Sequence, residues 1–303
     1  MEREKTVSSH NSIAASLSDY LKALPLYLLP QHFLSRLMYR LTRCPLRLWK
    51  EWQIRWFIQH YGVDMTEARE SDQTRYEDFN QFFTRELREG VRPIAESPDA
   101  LICPVDGAVS QVGSVDGGTM IQAKGRHYTL QALLANDDAL ADVFHGGSFI
   151  NLYLSPRDYH RIHMPLSGKL TRMCYEPGRL FAVNPHTARV VPELFARNER
   201  VINLFETEAG PMALIMVGAI FVGGMETFWA GPITPRTSRR EPQTWTYEGS
   251  AVVLQKGEEI GRFNMGSTVI LLFGPNAVQW TGDLQTGTGV RMGEAIGMIF
   301  KRR

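Results

Sequence analysis

Between residues 20 and 61, basic and apolar side chains recur at the spacing of a helix. Five bases follow one another at alternating steps of four and three, which aligns them along one helical stripe: Arg36, Arg40, Arg43, Arg47 and Lys50. The positions between and beside them are rich in leucine and tryptophan: Leu34, Leu37, Met38, Leu41, Leu46, Leu48, Trp49, Trp52, Trp56 and Phe57. Pro45 interrupts the stretch, and a proline inside a helical pattern ends or kinks the helix. The pattern therefore predicts two amphipathic helices that meet near Pro45.

Beyond residue 63 the pattern changes to short apolar runs separated by Gly and Pro. These runs predict strands at residues 108–112, 149–154, 213–222, 251–254 and 268–273. Short helices are predicted at residues 72–87 and 130–135. Helices first and strands later predict an α+β fold, in which the N-terminal amphipathic helices precede a mainly antiparallel β domain. No glycine-rich phosphate motif follows a strand, which disfavours a nucleotide-binding fold.

The composition divides the chain into three parts. Residues 1–19 form a polar tail that lacks the apolar core of a signal peptide. Residues 20–62 hold the basic helices, and residues 63–303 form the domain expected to carry any catalysis. The longest charge-free stretch near the start, residues 23–35, contains two prolines and is too short to span a bilayer, which takes roughly 20 apolar residues.

Net charge and cysteine content narrow the classes of partner. The net charge of +1 over 303 residues gives no reason to expect a nucleic-acid partner. The three cysteines are widely spaced and form no Cys-x-x-Cys pair: Cys44, Cys103 and Cys174. This pattern indicates a reducing compartment and favours neither a disulfide framework nor a zinc site.

The charge is concentrated between residues 20 and 61, where seven bases face a single acid, Glu51. A basic polar face opposite Trp and Leu is typical of a helix that lies in the membrane interface. Each base near an anionic leaflet contributes about 1 kcal/mol, so several together can hold a protein on the surface. The alternative is a helical hairpin packed on the protein's own core, with its arginines in water.

The most distinctive candidate for chemistry is Gly266-Ser267-Thr268, which directly precedes a predicted strand. The hydroxyl of Ser267 can reach the carbonyl of Gly266, and glycine has no Cβ to hinder the strained geometry that such an attack needs. Gly-Ser-Thr is also ordinary turn chemistry, so the tripeptide alone leaves both interpretations open.

A serine nucleophile needs a base, and the base needs an orienting group. The segment LSPRDYHRIHMP, at residues 154–165, places His160 and His163 on a loop bracketed by two prolines. No third ligand at metal spacing accompanies them, so we expect no metal site. Asp106 lies in a Cys-Pro-Val-Asp-Gly turn before a strand, where an acid either forms the turn or orients a histidine.

Together these segments resemble the phosphatidylserine decarboxylase family from about residue 20 to near residue 300. Residues 266–268 resemble its self-cleaving Leu-Gly-Ser-Thr motif, residues 155–165 its histidine loop, and residues 104–107 its aspartate turn. Further family-like segments are residues 79–83 (FNQFF), 122–125 (QAKG), 195–200 (FARNER) and 229–231 (WAG). Met265 replaces the usual leucine, a near-isosteric apolar change that should permit cleavage.

The resemblance implies a role for each residue of the site. His163 takes the proton of Ser267, Asp106 orients His163, and Ser267 attacks the carbonyl of Gly266. Cleavage between Gly266 and Ser267 then yields a large fragment (1–266) and a small one (267–303), whose first residue becomes a covalent pyruvoyl cofactor. A Schiff base on that cofactor decarboxylates phosphatidylserine to phosphatidylethanolamine. His160 is implied in returning the proton to the product or in steadying the intermediate.

The resemblance also implies where the enzyme works and with what. Its substrate and the anionic membrane surface are partners, the location is the cytoplasmic face of the cell membrane as a peripheral protein, and the processed heterodimer forms a homodimer. Two alternatives remain at this point. One is a pyruvoyl decarboxylase of a soluble amino acid, and the other is a non-catalytic, membrane-binding β domain.

Overall fold

The structure is a computed structural model that describes residues 16–301, except residues 124–125, 222–223, 236–240, 248, 250–251 and 266. Its helices are α1 (Leu17–Leu28), α2 (Gln31–Thr42), α3 (Arg47–Tyr61), α4 (Phe79–Phe83), α5 (Leu130–Leu133), α6 (Asp138–Phe144), α7 (Pro185–Val190) and α8 (Leu194–Arg197). Its strands are β1 (Ala100–Ile102), β2 (Gly107–Ser114), β3 (Thr119–Ala123), β4 (Arg126–Thr129), β5 (Ser148–Tyr153), β6 (Arg161–His163), β7 (Gly168–Glu176), β8 (Arg200–Thr207), β9 (Gly210–Val217), β10 (Met225–Thr227), β11 (Gly231–Pro232), β12 (Gln243–Thr246), β13 (Val253–Leu254), β14 (Glu259–Phe263), β15 (Thr268–Phe273), β16 (Val278–Trp280), β17 (Gly289–Val290) and β18 (Ala295–Ile299).

A nine-stranded sheet forms the centre of the fold, in the order β12-β7-β8-β9-β15-β5-β2-β17, with β13 paired to β7. Smaller sheets have the orders β11-β10-β14-β6 and β1-β18-β16, and β3 pairs with β4. Every strand ladder in the described residues is antiparallel. The predicted α+β fold, with helices before a mainly antiparallel β region, is confirmed.

Strand β15 lies inside the central sheet, between β5 and β9. Its sequence TVILLF has no alternation of polar side chains, and all six residues are buried. A continuous apolar run of this length is typical of a strand covered on both faces. Buried side chains of the same sheet surround it, so β15 belongs to the main hydrophobic core.

The N-terminal region contains three helices, one more than the pattern predicts. The division at Pro45 is confirmed, because α2 ends at Thr42 and α3 begins at Arg47. The prediction missed the break at Pro30, which separates α1 from α2. The break near Pro45 places Arg36 and Arg40 on α2 but Arg47 and Lys50 on α3, so the five bases do not share one continuous helix. Helix α1 begins at Leu17, where Ser16 and Asp19 form a capping box.

The predicted helix at residues 72–87 is wrong apart from α4. The Asp72 carboxylate accepts a hydrogen bond from the backbone of Thr74, which makes a local turn in place of a helix. Asp78 then caps α4 by accepting from the backbone of Gln81. The phenylalanines of α4 are buried against α3 in a second apolar cluster: Ile54, Phe57, Val63, Tyr76, Phe79, Phe82 and Phe83.

The other predicted elements are found, the strand at residues 268–273 with the predicted ends and the others with shifted ends. The runs at residues 108–112, 149–154 and 268–273 correspond to β2, β5 and β15, and the helix at 130–135 to α5. The run at 213–222 is shorter, because β9 ends at Val217, and residue 222 lies outside the described residues. Of the run at 251–254, residues 253–254 form β13. Within the described part of the chain, no helix has the length and apolar character needed to cross a membrane.

Candidate active site

Three chain segments meet at one end of the central sheet. Ala108 in β2 pairs with Tyr153 in β5, and Tyr153 pairs with Thr268 in β15. Strands β2 and β15 begin at this level and β5 ends there. Asp106, Ser267 and the loop after Tyr153 therefore lie at the same end of the central strands. Gly107 permits the close packing, since a Cβ there would lie 2.3 Å from the carbonyl oxygen of Tyr153.

Ser267 is fully buried at this edge. Its carbonyl oxygen accepts a hydrogen bond from the backbone of Leu154 at 2.9 Å, while its hydroxyl has no hydrogen-bond partner among the described residues. A buried hydroxyl without a partner is costly, and a bound water, a ligand or a catalytic role can account for it. Gly266, the other half of the predicted cleavage site, lies outside the described residues. Met265 packs against the aromatic cluster of α3 and α4.

His163 ends β6 and has both ring nitrogens engaged. Nδ1 lies 2.8 Å from the carbonyl oxygen of Gly257, and Nε2 lies 3.0 Å from the hydroxyl of Tyr159. A carbonyl can only accept, so we assign the proton to Nδ1, which leaves the basic lone pair on Nε2 and makes Tyr159 the donor. Burial lowers the pKa of His163, against the opposing effects of the Gly257 carbonyl and of the Glu259 and Asp106 charges. The ring is therefore neutral and its base faces the Tyr159 hydroxyl.

Asp106 does not meet His163 through a hydrogen bond. Arg92 holds its carboxylate through Nε, at 3.0 Å from Oδ1, and Nη2, at 2.6 Å from Oδ2, and the backbone of Met292 donates to Oδ1 at 2.9 Å. The link to His163 runs through the backbone, because the His163 amide donates to the carbonyl of Pro104 at 2.8 Å. The turn that contains Asp106 therefore lies beside His163, but the Asp106 carboxylate is bound by Arg92.

His160 directly precedes β6 and is fully buried. Its ring stacks on Phe83, with 4.1 Å between centroids and 19° between planes. Nε2 lies 3.4 Å from the Pro156 carbonyl oxygen, and Nδ1 has no partner among the described residues. Burial, assisted by the nearby positive charge of Arg85, lowers the pKa of His160 to about 3. His160 is therefore neutral at physiological pH and carries a free lone pair on Nδ1.

Several residues of this site escaped sequence reasoning. Arg92, which holds Asp106, has no signal beyond a base before Pro93. Arg85 and Phe83 belong to the segment of the wrongly predicted helix, and the role of Tyr159 depends on a rotamer that no spacing reveals. Within the described residues, no cluster of three or more His, Cys, Asp or Glu side chains could hold a metal ion.

Comparisons with known proteins cover most of the chain. The sequence model of the family described as phosphatidylserine decarboxylase matches residues 79–298, and a second model, described as PSD, matches residues 21–62. A protein of Pseudomonas fluorescens named phosphatidylserine decarboxylase proenzyme is 53% identical, over 90% of this chain and 95% of the relative. Proteins of the same name from Nitrosococcus oceani and Pseudomonas aeruginosa are 52% and 51% identical, over 96% and 93% of this chain and 95% and 98% of the relatives.

These matches agree with the site. The first family model spans the Asp106 turn, both histidines and Ser267, and the second spans the basic helices. The relatives are named proenzymes, a term for precursors that are processed to the active form. Identity above 50% over nine-tenths of the chain leaves no other assignment of family. The chain belongs to the phosphatidylserine decarboxylase family.

Proposed function

We propose that this chain decarboxylates phosphatidylserine to phosphatidylethanolamine and CO2 after it has cut itself between Gly266 and Ser267. Membership of the family and the proenzyme names of the relatives support the activity. The observation that carries the proposal is the fully buried Ser267, whose hydroxyl has no hydrogen-bond partner among the described residues, at the end of the central sheet shared by Asp106 and the histidine loop.

In the proposed cleavage, Ser267 Oγ attacks the carbonyl carbon of Gly266 and the peptide bond becomes an ester. His163 accepts the hydroxyl proton at Nε2, the nitrogen that the contact with the Gly257 carbonyl leaves unprotonated. Asp106 supports His163 by its fixed negative charge and by the Pro104 backbone contact. The ester then breaks by elimination: the Cα proton of residue 267 is removed and the Gly266 carboxylate leaves. Hydrolysis of the resulting dehydroalanine releases ammonia and leaves a pyruvoyl group at residue 267.

The surroundings of residue 267 fit such a group. The position is fully buried, it directly precedes the fully buried strand β15, and the Leu154 amide donates to its carbonyl oxygen. A pyruvoyl carbonyl supplies an electron sink for the charge that develops as CO2 leaves an amino acid. His160 offers a neutral hydrogen-bond acceptor at Nδ1. Its low pKa means that the ring does not hold a proton to return to the product, so we assign it to hydrogen bonding with the reacting head group.

The two predicted fragments would stay together after cleavage. Strand β15 of the small fragment pairs along its whole length with β5 and β9 of the large one, and β18 pairs with β1. Asp106 accepts from the Met292 backbone across the same boundary. Apolar burial of each β15 side chain contributes roughly 1.5–3 kcal/mol, so dissociation is strongly opposed.

We further propose that α1 to α3 dock the enzyme on an anionic membrane, which the lipid substrate requires. One face of α1 packs on α7 through the ion pair of Asp19 with Arg189. The opposite face exposes the α1 leucine stripe, which comprises Leu17, Leu21, Leu24 and Leu28. On α3, Phe57 is buried in the protein's own core, whereas Trp52 and Trp56 are about half exposed. Exposed leucines in register support docking over the alternative of a self-packed hairpin.

Attachment at the cytoplasmic face and a homodimer of the processed heterodimer are part of the proposal and rest on the family resemblance. Fractionation of cells with and without high salt tests the first, and native mass spectrometry the second. The leucine stripe counts against a decarboxylase of soluble amino acids, since such a substrate needs no membrane contact. Ser267 Oγ and His160 Nδ1 are buried without a hydrogen-bond partner in the part of the chain that the structure describes, which counts against a non-catalytic domain.

Mass spectrometry of the purified protein tests the proposal. The expected products end at Gly266 and begin with a pyruvoyl group at residue 267, and activity is expected on detergent-dispersed phosphatidylserine but not on free amino acids. Ser267→Ala should remain uncut and inactive. Ser148→Ala is the matched control, because Ser148 also has a buried, unpartnered hydroxyl but lies at the far end of β5. An intact wild-type chain with unmodified Ser267 would refute the proposal.

A further inference from the structure

An arginine-lined cleft of about 490 Å³ opens beside the histidine loop. Five arginines and two glutamates line it, so the lining residues by themselves carry a net positive charge; the arginines are Arg69, Arg75, Arg85, Arg161 and Arg262. The cleft reaches the site described above, because Arg161 directly follows His160 and its Nε donates to the carbonyl of Thr84 at 2.9 Å. A positive cleft at this place is suited to an anionic group of the substrate.

Four of the five arginines already have a carboxylate partner: Arg69 with Glu86 at 2.6 Å, Arg75 with Glu70 at 3.4 Å, Arg161 with Glu259 at 2.9 Å and Arg262 with Glu226 at 2.7 Å. Arg85 differs from them. It is 5% exposed, and its Nη2 donates to the carbonyl of Arg157 at 3.2 Å. Its Nε and Nη1 have no hydrogen-bond partner among the described residues.

A buried guanidinium with unused donors is unfavourable in the free protein. Burial lowers the pKa of Arg85, but arginine keeps its charge in proteins, so the group cannot escape the cost by losing a proton. Asp106, Glu67 and Asp158 attract this charge but make no hydrogen bond to Nε or Nη1, and a buried ion whose donors are unpaired is costly to keep. Such a cost is retained where a ligand supplies the missing charge.

Arg85 also lies close to the reacting groups. Its positive charge lowers the pKa of the buried His160, and Phe83, two residues earlier, stacks on the His160 ring. The Arg157 carbonyl that it contacts belongs to the same loop. A head group whose amine reaches residue 267 would therefore place its anionic part near this guanidinium.

We propose that Arg85 binds the phosphodiester of the lipid head group, an inference that rests on the function proposed above. Phosphatidylserine also carries a carboxylate, but a cation held at that group would stabilise the starting charge, which is lost as CO2 leaves. The phosphodiester keeps its charge throughout the reaction. A contact of Arg85 with the phosphodiester would therefore stabilise the bound substrate and the transition state equally, and it would determine the affinity for the lipid.

Steady-state kinetics of the processed enzyme on phosphatidylserine in mixed micelles test this role. Arg85→Gln should raise KM roughly 10- to 100-fold, as expected for loss of a charge-assisted hydrogen bond, with kcat changed much less. Arg85→Lys should recover part of the affinity. Arg172→Gln, which removes a paired arginine outside the cleft, should change KM less than twofold. An unchanged KM, or a fall in kcat at constant KM, would overturn the assignment.

A binding measurement separates this inference from the proposed function, because it needs no turnover. The full-length Ser267→Ala chain should bind glycerophosphoethanolamine, which has the phosphodiester but no carboxylate, and Arg85→Gln in that chain should weaken binding by the same factor as KM. Free serine, which has only the carboxylate, should bind equally weakly to both chains. Loss of serine binding alone would assign Arg85 to the carboxylate. Failure of the uncut chain to bind glycerophosphoethanolamine would refute the phosphodiester site even if the Arg85 variants do not fold.

Discussion

The α1 leucine stripe gives the sharpest test of membrane docking. Replacing Leu21, Leu24 and Leu28 together by serine removes side chains that are 63%, 61% and 85% exposed, so little of the folded core is lost. Helix α1 keeps its attachment, because Asp19 still pairs with Arg189 at 2.9 Å and Ala23 remains buried. The triple variant should therefore fold and cut itself like the wild type.

The magnitude follows from the exposed surface. The three side chains together expose about as much surface as two complete leucines, and full burial of one leucine contributes about 1.5–3 kcal/mol. If the membrane interface covers about half of that surface, docking loses about 1.5–3 kcal/mol, which is a roughly 10- to 150-fold fall in partitioning. The substitutions should lower the free energy of membrane binding and leave the free energy of unfolding nearly unchanged.

Sedimentation with phosphatidylserine-containing vesicles measures the partitioning. Turnover of a short-chain phosphatidylserine dispersed in detergent, where docking is not needed, should stay near the wild-type rate. Val143→Ser on α6, which is 39% exposed, serves as the control for loss of one exposed apolar side chain and should change partitioning less than threefold. Wild-type vesicle binding by the triple variant would refute the reasoning and assign the stripe to another contact.

Three further outcomes are expected. Leu271→Ala, which empties a fully buried position in β15, should lower the free energy of unfolding by about 2–5 kcal/mol in urea titrations, whereas the half-exposed Val253→Ala should cost under about 1 kcal/mol. Phe83→Leu keeps an apolar group but removes the ring stacked on His160; kcat on micellar lipid should fall roughly 2- to 10-fold, with self-cleavage retained in the fragment pattern. The pKa of His160 is about 3 when folded, against 6.5 for a free histidine, so the unfolded state takes up the proton first and stability falls as pH drops below 6.5. Between pH 7.5 and 5.5 the wild type should lose about 1.4 kcal/mol more than His160→Gln in urea titrations, and equal losses would contradict the burial of that ring.

Local sequence patterns predicted the parts of the fold that depend on residues close together in the sequence. The apolar run of β15 and the break at Pro45 are encoded within a few residues, and both are found. The helix predicted at residues 72–87 failed because Asp72 and Asp78 bond to nearby backbone amides and confine the helix to α4. Side-chain caps compete with helix formation in a way that periodicity does not record.

The candidate site was predictable in its membership but not in its contacts. Ser267, His163 and Asp106 stand in recognisable motifs, whereas the partner of Asp106 is Arg92, fixed by the packing of a distant turn. Arg85 resembles any surface arginine in the sequence. Its distinction is that it is buried while its Nε and Nη1 have no hydrogen-bond partner among the described residues, which is a property of the assembled fold.

Because β15 lies inside the sheet, the proposed cut would make unfolding of the protein difficult to reverse. The uncut chain refolds as one molecule, with β15 tethered to the strands that flank it. Once the bond before residue 267 is broken, refolding becomes an encounter between two chains, one of which must insert a fully apolar strand between β5 and β9. The stability of the mature enzyme would then be kinetic: its lifetime would depend on how slowly it unfolds. A molecule that unfolds once would not regain activity.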